Sequence, residues 1–298
     1  MERKKSIRKP SLPSLILTSD WHLREDTPTC FTGDWHQEQW KAVKVIRNLQ
    51  AMYNCPVIHA GDLFHHWKPS PRLLSQALYF LPEQFYTIYG QHDLPQHNWK
   101  LREKSGLHTL EAAGRLTVLD GWHYGQTPDG TGMLGAYGRM ICVWHHLTYI
   151  DKPFPGVSGG MAEGILRKYP KYDLIVTGDN HTSFTVAYKG RRLVNPGNLT
   201  RQAADQIDYK PRVALWYAED NVIEWVPLPM QKGVISRDHI TKVEERDKRI
   251  HAFITQLSED WDVELSFEKN LERFQQANDV EEDVMQIIYE SLERNIRK

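Results

Sequence analysis

A chain of 298 residues, 40% hydrophobic and 25% charged, has the composition of a soluble globular protein and is long enough for one large domain and an appendage. Its net charge of −1 offers no global field for nucleic acid, although bound metal ions can supply a positive field locally. Cys30, Cys55 and Cys142, irregularly spaced, argue against a disulfide framework and a structural zinc site, and no apolar run reaches membrane-span length.

Residues 1–13 read as a flexible basic arm; no apolar stretch follows it to make a secretory signal, so a cytoplasmic location with no membrane partner is expected. Ser14–Ser19 (SLILTS) is strand-like and leads into Asp20-Trp21-His22. An Asp and a His two apart at a strand end share a face and can turn onto one centre. The second Asp-Trp-His, at 34–36, reads differently. Asp34 with Gln37 forms a capping-box pattern, and Trp40, Val43, Ile46, Leu49 and Tyr53 recur at helical spacing.

Pro56–Ala60 (PVIHA) is a buried strand that turns at Gly61, with Asp62, His65 and His66 just beyond. Ser70-Pro71 begins a helix running towards Leu81, and the strand Phe85–Tyr89 ends in Gly90-Gln91-His92-Asp93. Residues 94–139 are poorly periodic, suggesting a short helix near 107–113, a strand at 116–119 and a loop or hairpin. Arg139–Trp144 is strand-like and runs into His145-His146. After a Pro/Gly-rich loop at 153–160, a helix over 161–169 precedes the strand Asp173–Thr177, which ends in Gly178-Asp179-Asn180-His181.

More β-structure is expected at 184–188, 192–194, 212–217 and 222–226, with Asn195-Pro196-Gly197-Asn198 among it. The alternation implies an α/β fold with helices layered on sheet. From about Ser236 the pattern turns amphipathic: Ile240, Val243, Ile250, Ile254 and Leu257 mark one helix. Asp279 and Glu282 cap another, carrying Val284, Ile287, Ile288 and Leu292. A boundary near 232–238 divides a domain over 14–235 from a helical region over 236–298.

Five strand ends thus deliver Asp20/His22, Asp62, Gln91/His92/Asp93, His145 or His146, and Asp179/His181. Carboxylates with imidazoles suit divalent Mn, Fe or Zn, and so many donors imply two ions. Two ions about 3.5–4 Å apart clamp a phosphoryl group and lower the pKa of a bridging water to about 7, giving a hydroxide nucleophile without a Ser or Cys. No Gly-rich phosphate loop of the Walker type and no G-x-S-x-G elbow is present.

The ordered set SDWH, GDLF, GQHD, VWHH and GDNH resembles the D-x-H, G-D, G-N-H-D, lone His and G-H-x-H series of the calcineurin-like metallophosphoesterases, over about residues 14–200. GDLFHH, the HDLP continuation and NPGNLTR further resemble the SbcD-type DNA-repair nuclease branch, including its compact phage-type forms. The resemblance implies a four-layer αββα sandwich with a small C-terminal helical appendage. It also implies that Asp20, His22, Asp62 and His181 hold one ion, and that Asp62 bridges to a second held by Gln91, His145 and Asp179. His92 would contact the phosphate or protonate the leaving group, Asp93 would orient it, and His65 would lie near the substrate. His145 is favoured as the ligand over His146, which would support it from behind. Gln91 stands where the family has Asn and Asp179 where it has His. Both replacements keep metal-capable donors, and the added carboxylate favours Mn, with Mg or Fe as alternatives.

A metal-dependent phosphodiesterase acting on DNA, as exonuclease, endonuclease or both, follows. Its rivals are a phosphatase or small-molecule phosphodiesterase of the same superfamily, and a non-catalytic interaction module. The C-terminal helices either dock an SbcC-type coiled-coil ATPase partner, as the resemblance implies, or pack on the chain's own sheet. Trp21, Trp67 and Trp144 flank the expected ligands and read as packing before base stacking.

Overall fold

Strand β1 (Leu15–Thr18) is buried along its whole length, as its unbroken apolar run suits a strand covered on both faces. The computed structural model describes residues 12–119, 131–151, 158–259, 267–278 and 280–296. The expected basic arm over 1–11 and the expected cap Asp279 lie outside the described residues. Asp34 caps helix α1 (Trp35–Tyr53) by accepting the Gln37 N–H, and the chain returns as β2 (Val57–His59), parallel to β1 with Leu17 opposite Ile58. Ser70 caps α2 (Pro71–Phe80), where Pro71 sits at a position whose N–H would be unpaired in any case. Strand β3 (Phe85–Thr87) is followed by two short 3-10 segments, helix α3 (Gly106–Ala112) and β4 (Thr117–Val118).

Strands β5 (Thr131–Ala136) and β6 (Arg139–Trp144) form an antiparallel hairpin. Two-residue strands β7 (Thr148–Tyr149) and β8 (Gly160–Met161) pair in parallel, and helix α4 (Ala162–Lys168) leads to β9 (Leu174–Thr177), β10 (Phe184–Tyr188) and β11 (Arg191–Asn195). The chain then crosses back as β12 (Arg212–Tyr217) and β13 (Val222–Pro227). The result is a six-stranded sheet, β13–β12–β1–β2–β3–β4, and a five-stranded sheet, β10–β11–β9–β6–β5.

The two-residue period of a strand sorts side chains between layers. Leu15, Leu17 and Ile58 of the first sheet pack with Ile141, Val143, Leu174 and Val176 of the second. On the other face of the first sheet, Ile16, Val57 and Phe85 meet Val43, Ile46, Leu73, Ala77 and Leu107 from α1, α2 and α3. Cys142, Ile175 and Leu193 likewise turn outward onto Ile165 and Leu166 of α4. Helix, sheet, sheet and helix make four layers, so each sheet is covered on both sides.

A second unit begins at Asp238. It holds α5 (Asp238–Glu259), α6 (Phe267–Asn278) and α7 (Glu282–Ile296), with Leu271, Met285 and Ile288 packed among Phe253, Phe274 and Val280. Helix α6 is absent from the sequence reading because its apolar residues, Phe267, Leu271 and Phe274, are sparse in a polar run. No helix among the described residues is long and apolar enough to cross a membrane.

Candidate active site

Strands β1, β2 and β3 run parallel, as do β6 and β9, so their carboxyl ends share an edge within each sheet. Loops at such edges form the usual ligand crevice of α/β folds. The loop after β1 runs beside the loop after β2, with the Asp20, His22 and Leu23 N–H groups donating to the carbonyls of Gly61, Asp62 and Leu63. Asp20 and His22 lie beyond the end of β1, so strand alternation does not aim them. Both instead adopt left-handed backbone, φ 50° and 44°, as do Asp62 (60°) and Asp179 (71°). Asp and His tolerate that region better than most residues, and strain of about 1–3 kcal/mol each concentrates at functional sites.

The carboxylates are buried and close to imidazoles. Asp20 and Asp62 are 0% and 1% exposed. His145 Nε2 lies 3.2 Å from Asp62 Oδ2, and His22 Nε2 lies 3.7 Å from the same oxygen. His145 donates from Nδ1 to the Ala60 carbonyl at 2.7 Å, which leaves its Nε2 facing Asp62. His181 stands edge-on to His22, ring centres 5.3 Å apart. Ligand atoms of Asp20, His22 and His181 lie within 4.8 Å of one another, as do those of Asp20, Asp62 and His145. The two residues that depart from the family pattern meet each other: Gln91 Nε2 donates to Asp179 Oδ1 at 2.6 Å, with His145 Nε2 4.0 Å from that oxygen. The Asp179 backbone N–H donates in turn to Asp20 Oδ1.

Asp93 does something other than orient His92. Its carboxylate accepts the backbone N–H groups of Asp62, Leu63, Phe64 and Gly90 and so clamps the Asp62 turn. The His92 ring is held by donation from Nδ1 to the His65 carbonyl, and its backbone N–H donates to Asp62 Oδ1. His65 and His92 stack at 5.6 Å. His146 lies flat on Trp144, 3.9 Å away and 3° from parallel, while His145 takes the position beside Asp62. Trp21 is wholly buried and donates to Thr18 Oγ1, which is packing.

Electrostatics describe a site short of positive charge. Burial, offset in part by His145 and reinforced by Asp62, pushes Asp20 up to about 7. Burial and the neighbouring Asp62 push Asp93 up to about 7 against its backbone donors. Asp62 is itself held down, because His145, His22 and His92 outweigh the effect of burial. His145 is raised to about 10, since Asp62 and Asp20 overcome a burial effect of the opposite sign. Burial drives His22 well below its ordinary range. Five buried atoms here make no hydrogen bond: Asp20 Oδ2, both ring nitrogens of His22, and Asp62 Oδ2 and His145 Nε2, which face each other only as an ion pair at 3.2 Å. Buried polar atoms without hydrogen bonds are costly, and hard carboxylates with imidazoles, His145 giving up its proton, are the donor set of a divalent cation, so the residues fit metal ions.

The site also rests on residues whose part sequence reasoning did not identify. Asn195 donates to the Thr182 carbonyl and accepts from Thr177 Oγ1, bracing the Asp179 loop. Ser19 Oγ donates to the Gly197 carbonyl, Leu199 N–H to the Asp20 carbonyl and Asn198 N–H to the His181 carbonyl. The Asn195–Asn198 stretch therefore ties the loops after β1 and β9 together. Its density of Asn, Pro and Gly and the NPGNLTR resemblance mark the stretch in the sequence, but neither shows which loops it ties.

A cleft of about 790 Å³ opens beside Asp179 and His181, lined also by Tyr149, Asp151, Phe184, Asp205 and Tyr209. Among curated proteins, the DNA double-strand break repair protein Mre11 of Archaeoglobus fulgidus is 35% identical over 97 residues, 30% of this chain and 21% of that protein's length. Among solved structures, an archaeal phosphodiesterase has a TM-score of 0.43 at 14% identity, covering 72% of this chain and 99% of its own. Zinc-bound Vps29 of Entamoeba histolytica has a TM-score of 0.37 at 14% identity, covering 72% of this chain and 98% of its own. The calcineurin-like phosphoesterase superfamily domain matches residues 15–218, and with this span and these loops the chain belongs to that superfamily.

Proposed function

We propose that the chain is a two-metal-ion phosphodiesterase that hydrolyses DNA, as an exonuclease, an endonuclease or both. The observation that carries the reading is the convergence of buried carboxylate and imidazole atoms that make no hydrogen bond at the ends of β1, β2 and β6. Asp20, His22, Asp62 and His181 would hold one divalent ion, and Asp62, Gln91, His145 and Asp179 a second, with Mn²⁺ favoured by the carboxylates. Such ions, when bound, neutralise phosphoryl charge and lower the pKa of coordinated water. His92, anchored through Nδ1 on the His65 carbonyl, keeps Nε2 for the substrate and is placed to protonate the leaving oxygen. Asp93 holds the Asp62 turn in place, and His65 flanks the scissile phosphate. The similarity to an archaeal DNA-repair protein supports DNA as the substrate, over a short segment.

The C-terminal unit is the proposed attachment point for an SbcC-type ATPase partner, and exposed Ile254, Ile287 and Tyr289 supply it with apolar surface. Co-purification of full-length chain and truncations after Arg237 tests this. A small-molecule phosphodiesterase is the second reading, favoured by the cleft beside Asp179, whose volume suits a small ligand and whose Asp151 and Asp205 repel a polyanion. Purified protein with Mn²⁺ is assayed on a phosphodiester, a phosphomonoester, and single- and double-stranded DNA. DNA cleavage supports the first reading; hydrolysis of small esters with DNA untouched supports the second.

A further inference from the structure

His22 belongs to two clusters at once. Its ligand atoms fall within 4.8 Å of those of Asp20 and His181 on one side, and within 4.8 Å of those of His65 and His92 on the other. The His92 ring stands perpendicular to it, centres 4.8 Å apart, and the His65 ring lies 5.9 Å away. Both nitrogens of His22 are buried and make no hydrogen bond. The Nδ1 of His92 carries its proton towards a carbonyl, so its Nε2 lone pair is available. The second cluster contains no carboxylate.

We propose that His22, His65 and His92 form a three-imidazole site for Zn²⁺ beside the carboxylate-rich site, competing with it for His22. Three imidazoles with an open position are a zinc donor set, whereas Mn²⁺ and Mg²⁺ favour the carboxylates. Tetrahedral zinc at about 2.0–2.1 Å wants its donors about 3.3 Å apart, so the rings must close in. Half-buried His65 is the ring placed to move, while His92 keeps its Nδ1 bond to the His65 carbonyl. A neutral imidazole offers one lone pair, so His22 serves one ion or the other. Zinc at this site withdraws His22 from the carboxylates and occupies the nitrogen of His92 that faces the substrate, so it acts as an inhibitor. The site stands on its own geometry; the competition alone rests on the two-ion reading above.

The test uses full-length, untagged protein dialysed against excess Mn²⁺ with and without Zn²⁺, with both metals counted by elemental analysis. Wild type should gain a zinc ion and lose a manganese ion. His65→Ala and His65→Gln, shown folded by circular dichroism, should take up no such zinc and keep their manganese. Co²⁺ in place of Zn²⁺ should give tetrahedral visible absorption in wild type that both variants lack. Zinc uptake and manganese loss unchanged in the His65 variants would mean that zinc enters the carboxylate site, overturning the proposal. Wild type that binds no manganese but takes up zinc through His65 would overturn the two-ion reading and leave this site standing.

Discussion

Asp62 is the residue on which most of the site converges: its Oδ1 accepts the His92 N–H and its Oδ2 faces His22 and His145. Asp62→Asn removes the charge that both ions would share, and turnover should fall by at least about a hundredfold with the fold retained. Near wild-type turnover at saturating Mn²⁺ would end the two-ion reading. His92→Ala separates chemistry from metal binding. Loss of the proposed proton donor should cost about 10²–10⁴ in turnover while the manganese content measured by elemental analysis stays that of wild type. Asp179 tests the chain's departure from its family. Its carboxylate takes the Gln91 amide, so Asp179→Ala should weaken the second ion, cost turnover and recover in part at high Mn²⁺. Asp179→His should stay active and shift its metal-activation profile towards ions that prefer imidazole, such as Zn²⁺.

At the scale of elements, the loops are positioned by close backbone approach. A Cβ added at Gly90 would overlap the Asp62 carboxylate and backbone N–H, and one at Gly178 would sit 2.5 Å from the Ala60 carbonyl and 2.6 Å from His145 Nδ1. The glycines in GQHD and GDNH thus let loops from different strands touch. Gly90→Ala has no flexible neighbour to push aside, so it should cost about 1–3 kcal/mol in urea-unfolding stability and lose bound Mn²⁺ as well. Ordinary stability with full metal content would show that the turn relaxes freely. The capped helices α1 and α2 are a contrast. Asp34 and Ser70 bond within three residues, and sequence spacing is enough to find them.

For the whole molecule, the four layers bury three carboxylates, Asp20, Asp62 and Asp93, at one end of the paired sheets. Cations that bind the folded chain alone should stabilise it, by about 2.7 kcal/mol per site at about a hundredfold excess over Kd. The melting temperature should therefore rise with Mn²⁺ concentration and fall on chelation, and the rise should be much smaller in Asp62→Asn. A melting temperature indifferent to Mn²⁺ and to chelator would argue against any resident ion.

Local signals by themselves determined most of the longer strands, the caps of α1 and α2 and the order of the turns that carry the candidate ligands, because each is written within a few residues: SLILTS before Asp20, Gly61 before Asp62, Ser70-Pro71 at a helix start. The α/β class and the family followed from that order. Only the tertiary structure decided what each turn touches. Asp179 and Asp20 bond across 159 residues, Ser19 and Gly197 across 178, and Gln91 and Asp179 across 88. Sequence spacing carries no information on such pairings, since they depend on how two sheets stack. For the same reason Asp93 reads as a partner of its neighbour His92 but serves as a clamp on the Asp62 turn, and β6 delivers His145 to Asp62 while His146 lies against Trp144.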